Sequence, residues 1–275
     1  MTSPIKAAEH VPTWFAIDGN NMVFKDFSCG DSTASRFVAR LRCMSRTYHP
    51  ERIIVAWDPV DGSSFRRDIV PTYKSNRGPK PEGFDEALER AKDACRDECV
   101  DSVTVPSFEA DDVIATVVNV ALSIGRRVVM VSSDKDLRQL LCGGLVTQCT
   151  KLNRSGDKLL PQWMTAEDCR EFYKVNPIQW VDYQTMVGDK VDGIKGCRGV
   201  GPIAAANVLK TMRTLDNFLK FATESAKSAA ATANITEKQV GLLKSFDESG
   251  ELSKVRQLVT LRGDVPIEEH MGATA

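Results

Sequence analysis

The chain reads as an α/β protein with a mainly parallel central sheet, followed by a helical C-terminal region. Three observations predict this. Two short apolar runs, Trp14–Ile17 and Arg52–Trp57, each end at an Asp and flank a helical pattern over Ser32–Tyr48. The stretch Val105–Leu140 repeats the theme as strand end, helix, strand, loop and helix. From about residue 165 onward the pattern is almost entirely helical. Strand–helix–strand units at this spacing are right-handed and build parallel sheets.

Residues 1–12 read as a disordered lead. Trp14–Ile17 is a buried strand closing in the turn Asp18-Gly19-Asn20-Asn21. The helix over 32–48 puts Phe37, Val38, Leu41 and Met44 on one face. The second strand closes in Asp58-Pro59. Asp61–Gly83 is polar, basic and rich in Gly, Pro and Ser, and long loops of this kind are functional or disordered. Phe84–Val100 is an amphipathic helix with Leu88, Ala91, Cys95 and Cys99 on its apolar face. Val103–Val105 and Val128–Val131 are strands, Leu145–Thr150 is a further one, and Lys151–Leu160 is a hairpin or loop. Helices are expected from Thr165, from Pro177, over Leu215–Phe221 and over Thr236–Phe246. Ala222–Ala233 is a loop or a poorly packed helix, and the tail after Gly263 is irregular.

Composition excludes several classes. With 42% hydrophobic and 27% charged residues among 275, the chain suits a soluble globular protein, and it has no apolar run of membrane-spanning length. The N-terminus lacks an apolar signal core. The 8 cysteines form no C-x-x-C pair and there are only 3 histidines, which disfavours a zinc site. Unpaired, scattered cysteines suit a reducing cytoplasm. The net charge of −1 hides a segregation of acids into clusters and of bases into Arg66, Arg67, Lys74, Arg77, Lys80 and Lys190, Lys195, Arg198. A locally basic surface beside an acidic pit can bind a polyanion despite a neutral total.

The acids carry the chemistry. Glu109, Asp111 and Asp112 precede a helix, and Asp134 and Asp136 follow a strand. In a parallel sheet, strand carboxyl ends and the following helix starts share one edge, which Asp18 and Asp58 also reach. Either cluster alone could equally serve a helix dipole or a turn. Together they repel unless cations intervene, and hard divalent cations such as Mg²⁺ take oxygen ligands of this kind. Tyr73, beside Lys74 in the basic loop, suits base stacking with phosphate neutralisation, although a solvated linker explains that loop as well. Asp189 and Asp192 lie three apart and precede Gly199-Val200-Gly201 and a helix opening at Pro202. A hairpin of this type offers backbone N–H groups to phosphate oxygens.

These residues resemble the structure-specific 5′ nuclease family, which includes the 5′→3′ exonuclease domain of bacterial DNA polymerase I and bacteriophage flap endonucleases and exonucleases. The resemblance covers residues 14–262. It rests on I-D-G (Ile17–Gly19), W-D (Asp58), F-R-R-x₅-Y-K-S-N-R (Phe65–Arg77), E-A-D-D (Glu109–Asp112), S-D-K-D-L (Ser133–Leu137) and G-D-x-x-D-G-I-x-G-x-x-G-V-G (Gly188–Gly201). It implies a PIN-like nuclease core over 13–183, a helical arch over about 62–100, and a helical region over 184–262 with a helix–hairpin–helix motif. It implies Mg²⁺-dependent hydrolysis of DNA at 5′ ends, flaps and nicks by two metal ions, with Mn²⁺ able to substitute. Asp18, Asp58, Glu109, Asp111 and Asp112 would serve the first ion, and Asp134, Asp136, Asp189 and Asp192 the second. Lys74 and Arg77 would contact the scissile phosphate. Arg66, Arg67, Tyr73, Lys195, Gly199, Val200 and Gly201 would bind DNA, with K⁺ at the hairpin.

The family's polymerase relatives often carry D-N-I-P-G where this chain has Asp192-Gly193-Ile194-Lys195-Gly196, which predicts only local changes at the hairpin. No polymerase segment follows, so a free-standing monomer or a partner in a replication assembly is expected, in the cytoplasm of a bacterium or a phage-infected bacterial cell. RNA–DNA hybrids are further substrates to expect, as in primer removal. The competing readings are a catalytically inactive DNA-structure-binding protein and a PIN-type ribonuclease. The first requires a broken acidic cluster and none is broken. Simpler PIN domains lack the second acidic pair and the hairpin.

Overall fold

In the computed structural model, residues 11–27, 32–60, 62, 64–98, 100–156 and 158–267 are described. Residues 1–10 of the expected 1–12 lead, Cys29, Cys99 and the part of the tail beyond 267 lie outside them. The elements in chain order are β1 (Thr13–Asp18), α1 (Gly19–Asp26), α2 (Thr33–Tyr48), β2 (Arg52–Trp57), α3 (Ser64–Ile69), α4 (Phe84–Asp97), β3 (Asp101–Thr104), α5 (Ala110–Ser123), β4 (Arg127–Val131), a 3-10 turn (Asp136–Leu140), β5 (Val146–Ser155) and β6 (Lys158–Met164). After these come α6 (Ala166–Tyr173), a 3-10 turn (Pro177–Gln179), α7 (Trp180–Val187), β7 (Gly188–Asp189), β8 (Ile194–Lys195), α8 (Pro202–Met212), α9 (Leu215–Glu224), α10 (Ala226–Ala233), α11 (Glu237–Glu248) and α12 (Glu251–Val259).

The chain divides into two units, the first built from residues 1–64, 79–165 and 261–275, the second from 65–78 and 166–260. The first unit holds a six-stranded sheet of order β3-β2-β1-β4-β5-β6. All pairings are parallel except β5 with β6, so the expected 151–160 hairpin is the antiparallel edge of the sheet. Asp18 pairs in register with Ala56, and Ile17 with both Val55 and Val131, so β1, β2 and β4 end level with one another. Neighbouring strands lie about 4.8 Å apart, which brings whatever follows these three ends close together.

Both faces of the sheet are covered, as parallel strands require. Phe15, Ile17, Val55, Trp57, Val129 and Val131 pack with Met22, Phe37, Leu41 and Met44 of α1 and α2 and with Phe84, Leu88 and Cys95 of α4. The helix α5 contacts β1, β2, β3 and β4, and buries Val113, Ile114 and Val117. Gly19 opens α1 against the Trp57 indole, where a Cβ would come within 2.4 Å of the ring. The glycine of I-D-G is therefore there for space.

The second unit is helical apart from the two-residue β7–β8 hairpin. Its close point is Gly196, whose Cβ would lie 2.4 Å from the Gly188 nitrogen and the Met186 carbonyl. One expectation, the loose packing of 222–233, is corrected here. Asp189 ends β7 and Asp192 lies in the turn to β8, so the two share one turn. The alanine-rich 222–233 segment is well packed, with Ala229, Ala230 and Ala233 buried in α10. Residues 166–183, grouped by sequence with the first domain, pack in the second unit, where Tyr173 stacks edge-on against Trp180 at 5.0 Å and close to Tyr183. The 62–100 region is split: 65–78 is held in the second unit, and α4 packs on the sheet of the first.

Candidate metal-dependent nuclease site

In the first unit, the level strand ends gather the expected carboxylates at one rim. Asp18 closes β1, caps α1 by accepting the Asn21 N–H at 2.9 Å, and accepts the Ser132 hydroxyl at 2.8 Å. Asp58 follows β2. Its backbone N–H donates to the Asn20 side chain at 3.0 Å, and its carboxylate accepts the Ala110 N–H at 2.8 Å, which ties it to the start of α5. The Asp134 N–H donates to Ser132 Oγ at 3.0 Å, and Asp134 Oδ1 accepts the Asp136 N–H at 2.8 Å. The turn role weighed for Asp134 is thus real and coexists with its place at the rim. Gln148 on β5 donates to the carbonyls of Ser132 and Asp134, which fixes the loop from behind.

Burial and like charge act together here. Asp18, Glu109 and Asp136 are buried. Burial pushes the Asp18 carboxyl up to about 7, the neighbouring Asp58 and Asp134 push the same way, and the Asn21 and Ser132 hydrogen bonds oppose them. Crowded, hard oxygen donors whose burial and mutual repulsion hold a proton on one member are the donor set that a divalent cation such as Mg²⁺ fits.

Glu109 and Asp112 form a capping box at the start of α5. Asp112 is fully buried. One of its oxygens accepts the Glu109 N–H at 3.2 Å and the other the Arg262 N–H at 2.9 Å. Asp111, one position earlier, is half-buried.

In the second unit, Asp189 and Asp192 are buried in the β7–β8 hairpin. Asp192 pairs with Arg77 and lies 3.9 Å from Lys74 Nζ. The Lys74 N–H donates to the Asp192 carbonyl at 3.2 Å, with Lys74 in the left-handed region at φ 57°. Asn76 donates to the carbonyls of Lys190 and Val191. The 65–78 segment is thereby stitched to the hairpin that carries the second acidic pair.

Two residues expected to face DNA are interior. Arg66 is 2% exposed and donates to the Leu258 carbonyl at 3.1 Å. Tyr73 is buried among Ile194, Val255, Leu258 and Val259. Both are corrected, because α12 packs against this segment and turns a polar-looking loop into a core face. Val200 is corrected in part: its side chain is buried and its N–H donates to the Cys197 carbonyl, so it offers no outward donor. Arg67, Lys195, Arg198, Gly199 and Gly201 are exposed. Gly199 has φ 91°, and its carbonyl accepts the Gln239 amide at 3.1 Å. The reading by residue type missed Asn20, Asn21, Ser132 and Gln148. The two asparagines directly after the first Asp-Gly, and the serine opening S-S-D, were the available signals.

With this geometry in hand, comparison with known proteins is decisive. Residues 13–174 match the N-terminal resolvase-like domain of the 5′-3′ exonucleases, and residues 175–275 match the C-terminal SAM fold of the same proteins. The chain belongs to the 5′-3′ exonuclease family. It is 33% identical over 216 residues to a thermostable DNA polymerase I of Thermus thermophilus, covering 78% of this chain and 23% of the relative. It therefore spans about a quarter of that polymerase. It is 28% identical over 261 residues to the flap endonuclease Xni of Shewanella sediminis, covering 93% of this chain and 94% of the relative. In fold it resembles the T5 5′-exonuclease with bound divalent metal ions (zinc), at a TM-score of 0.70 and 22% identity over 91% of this chain and 90% of the other.

Proposed function

We propose that the chain is a Mg²⁺-dependent 5′→3′ exonuclease and flap endonuclease that hydrolyses DNA phosphodiester bonds near 5′ ends, flaps or nicks. The observation that carries this reading is the carboxylate rim at the level ends of β1, β2 and β4, where burial and like charge hold Asp18 up to about 7. Membership of the exonuclease family supports it. Asp18, Asp58, Glu109, Asp111, Asp134 and Asp136 are the proposed metal-facing groups of the first unit, and Asp189 and Asp192 those of the second. Two Mg²⁺ ions, or Mn²⁺ in their place, would activate water and neutralise charge developing on the phosphate oxygens.

The chain's own residues do the rest. Asn21 and Ser132 orient Asp18, and Ser132 and Gln148 hold the Asp134 loop, so the rim is pre-set. Lys74 and Arg77, which lie on Asp192 here, would bring positive charge to the scissile phosphate. The exposed Lys195, Arg198, Gly199 and Gly201 would grip the duplex backbone without reading bases. RNA–DNA hybrids are proposed as further substrates, and a monomer in the cytoplasm of a bacterial or phage-infected cell as the working state.

The test is polarity. A DNA duplex with a labelled 5′ flap is compared with one bearing a 3′ flap of identical sequence, each with Mg²⁺ or with chelator. Cleavage of the 5′ flap alone, and only with Mg²⁺, is expected. Equal cutting of both flaps, or cutting in chelator, would overturn the reading.

A further inference from the structure

We infer that Asp112 is a positioning residue rather than a metal ligand, and that it clamps a C-terminal strap which sets the spacing of the acidic segments in the first unit. This rests on the reading of the rim as metal-binding. The strap is Leu261–Ile267, which belongs to the first unit although it follows α12. It lies on one face of α5, held at three positions spaced i, i+4 and i+7, as neighbours on a helix face are. Asp112 accepts the Arg262 N–H at 2.9 Å. Thr116 Oγ1 accepts the Val265 N–H at 3.0 Å. Asn119 donates to the Gly263 carbonyl at 3.0 Å.

The fit is close. A Cβ on Gly263 would lie 2.2 Å from the Asn119 amide nitrogen, and Val265 and Ile267 are both buried. The strap also reaches the second acidic segment of this unit. The Leu261 N–H donates to Gln139 Oε1 at 3.1 Å, and the Gln139 amide donates to the Asp136 carbonyl at 2.9 Å. One short strap is thus hydrogen-bonded to the helix capped by Glu109 and, through Gln139, to the turn that begins at Asp136. Asp112 anchors it beside the rim with both oxygens, one on the strap and one on its own helix cap. A buried carboxylate whose two oxygens each accept a backbone N–H has the partners that its burial demands. Removing it would release the strap and loosen the placement of Glu109, Asp111 and Asp136 without deleting a ligand.

The experiment compares Asp112→Asn, Thr116→Val and Asp111→Asn in the full chain. Three readouts are taken: thermal unfolding without metal, Mn²⁺ titration followed by electron paramagnetic resonance, and kcat and KM on a 5′-flap DNA. An amide at 112 supplies one acceptor where two donors point. Asp112→Asn is therefore expected to melt several degrees lower, keep the wild-type number of Mn²⁺ sites, and lose kcat about ten-fold with KM unchanged, the size typical of a supporting partner. Thr116→Val, which touches no rim carboxylate, should reproduce the kcat loss. Asp111→Asn should lose Mn²⁺ affinity without melting lower. The inference is overturned if Asp112→Asn loses a Mn²⁺ site while melting at or above wild type, or if Thr116→Val melts lower with kcat unchanged. A wild type that binds no Mn²⁺ and cuts nothing overturns the nuclease reading and the positioning role with it. It is told apart from failure of the clamp alone because the melting loss of Asp112→Asn then persists.

Discussion

The Ser132 hydroxyl donates to the Asp18 carboxylate at 2.8 Å, joining the loop after β4 to the end of β1 across 114 positions of sequence. The same oxygen accepts the Asp134 N–H at 3.0 Å. One buried hydroxyl therefore sets the position of two rim carboxylates. Ser132→Ala leaves a backbone donor without its acceptor and frees Asp18 to turn. We expect stability to fall by roughly 1–3 kcal/mol and divalent affinity to fall about ten-fold or more. Denaturant titration and Mn²⁺ titration of the same preparation check both. An unchanged metal affinity would remove Ser132 from the site.

Asp18 makes the metal-free protein sensitive to pH. Its carboxyl is raised from 3.8 to about 7 by burial first and by Asp58 and Asp134 next. Between those values the folded chain keeps a proton that the unfolded chain has released, so stability falls as pH rises through that window. Asp18→Asn removes the titrating group and should flatten this slope, giving a metal-free protein that melts higher near neutral pH than wild type. The same variant should lose divalent affinity. Melting curves in chelator from pH 4 to 8 decide the matter, and a wild-type slope that survives in Asp18→Asn would contradict the assignment.

Gly19 faces the Trp57 ring with room for no side chain. Gly19→Ala must displace the indole, which packs at 5.7 Å against Phe37 in the core. Overpacking of this kind costs about 1–3 kcal/mol. Unfolding followed by tryptophan fluorescence should show the loss, and wild-type stability in Gly19→Ala would mean that the ring is not fixed where it is described.

An arginine and a lysine position separate a buried base from an exposed one. Arg66 is interior and bonded to the Leu258 carbonyl, whereas Lys195 is exposed. Arg66→Met should lower the melting temperature and leave the salt dependence of DNA binding unchanged. Lys195→Ala should leave melting unchanged and reduce the slope of log affinity against log salt by about one. A reduced salt slope in Arg66→Met would restore Arg66 to the DNA-facing set.

These contrasts show what the residues declare and what they conceal. Each of the strands ending at Asp18 and Asp58 was readable because an apolar run closed by Asp-Gly or Asp-Pro has few other forms, and parallel topology then places the two on one edge. The β4 loop with Asp134 and Asp136 followed from the same rule. Arg66 and Tyr73 were not readable, because what buries them is α12, nearly two hundred positions away. Asp112 was ambiguous by nature: the third residue of a capping box and a metal ligand are written with the same letter, and its bond to the Arg262 N–H, 150 positions on, is not legible in the sequence. The loose appearance of 222–233 failed for a related reason, since alanine is a poor hydrophobe on its own and a good one where helices pack closely.

The central claim is that the carboxylate rim holds the divalent ions that cleave DNA. The direct measurement is single-turnover cleavage of a 5′-labelled DNA flap with Mg²⁺ by wild type and by Asp134→Asn, with binding of each to the same flap measured in Ca²⁺. The account predicts that wild type releases the flap, while Asp134→Asn binds it with similar affinity and cuts at least a hundred-fold more slowly, on the order of what loss of a metal-facing charge removes. Equal cleavage by the two proteins, or a wild type that binds the flap and never cuts with Mg²⁺ or Mn²⁺, would contradict it.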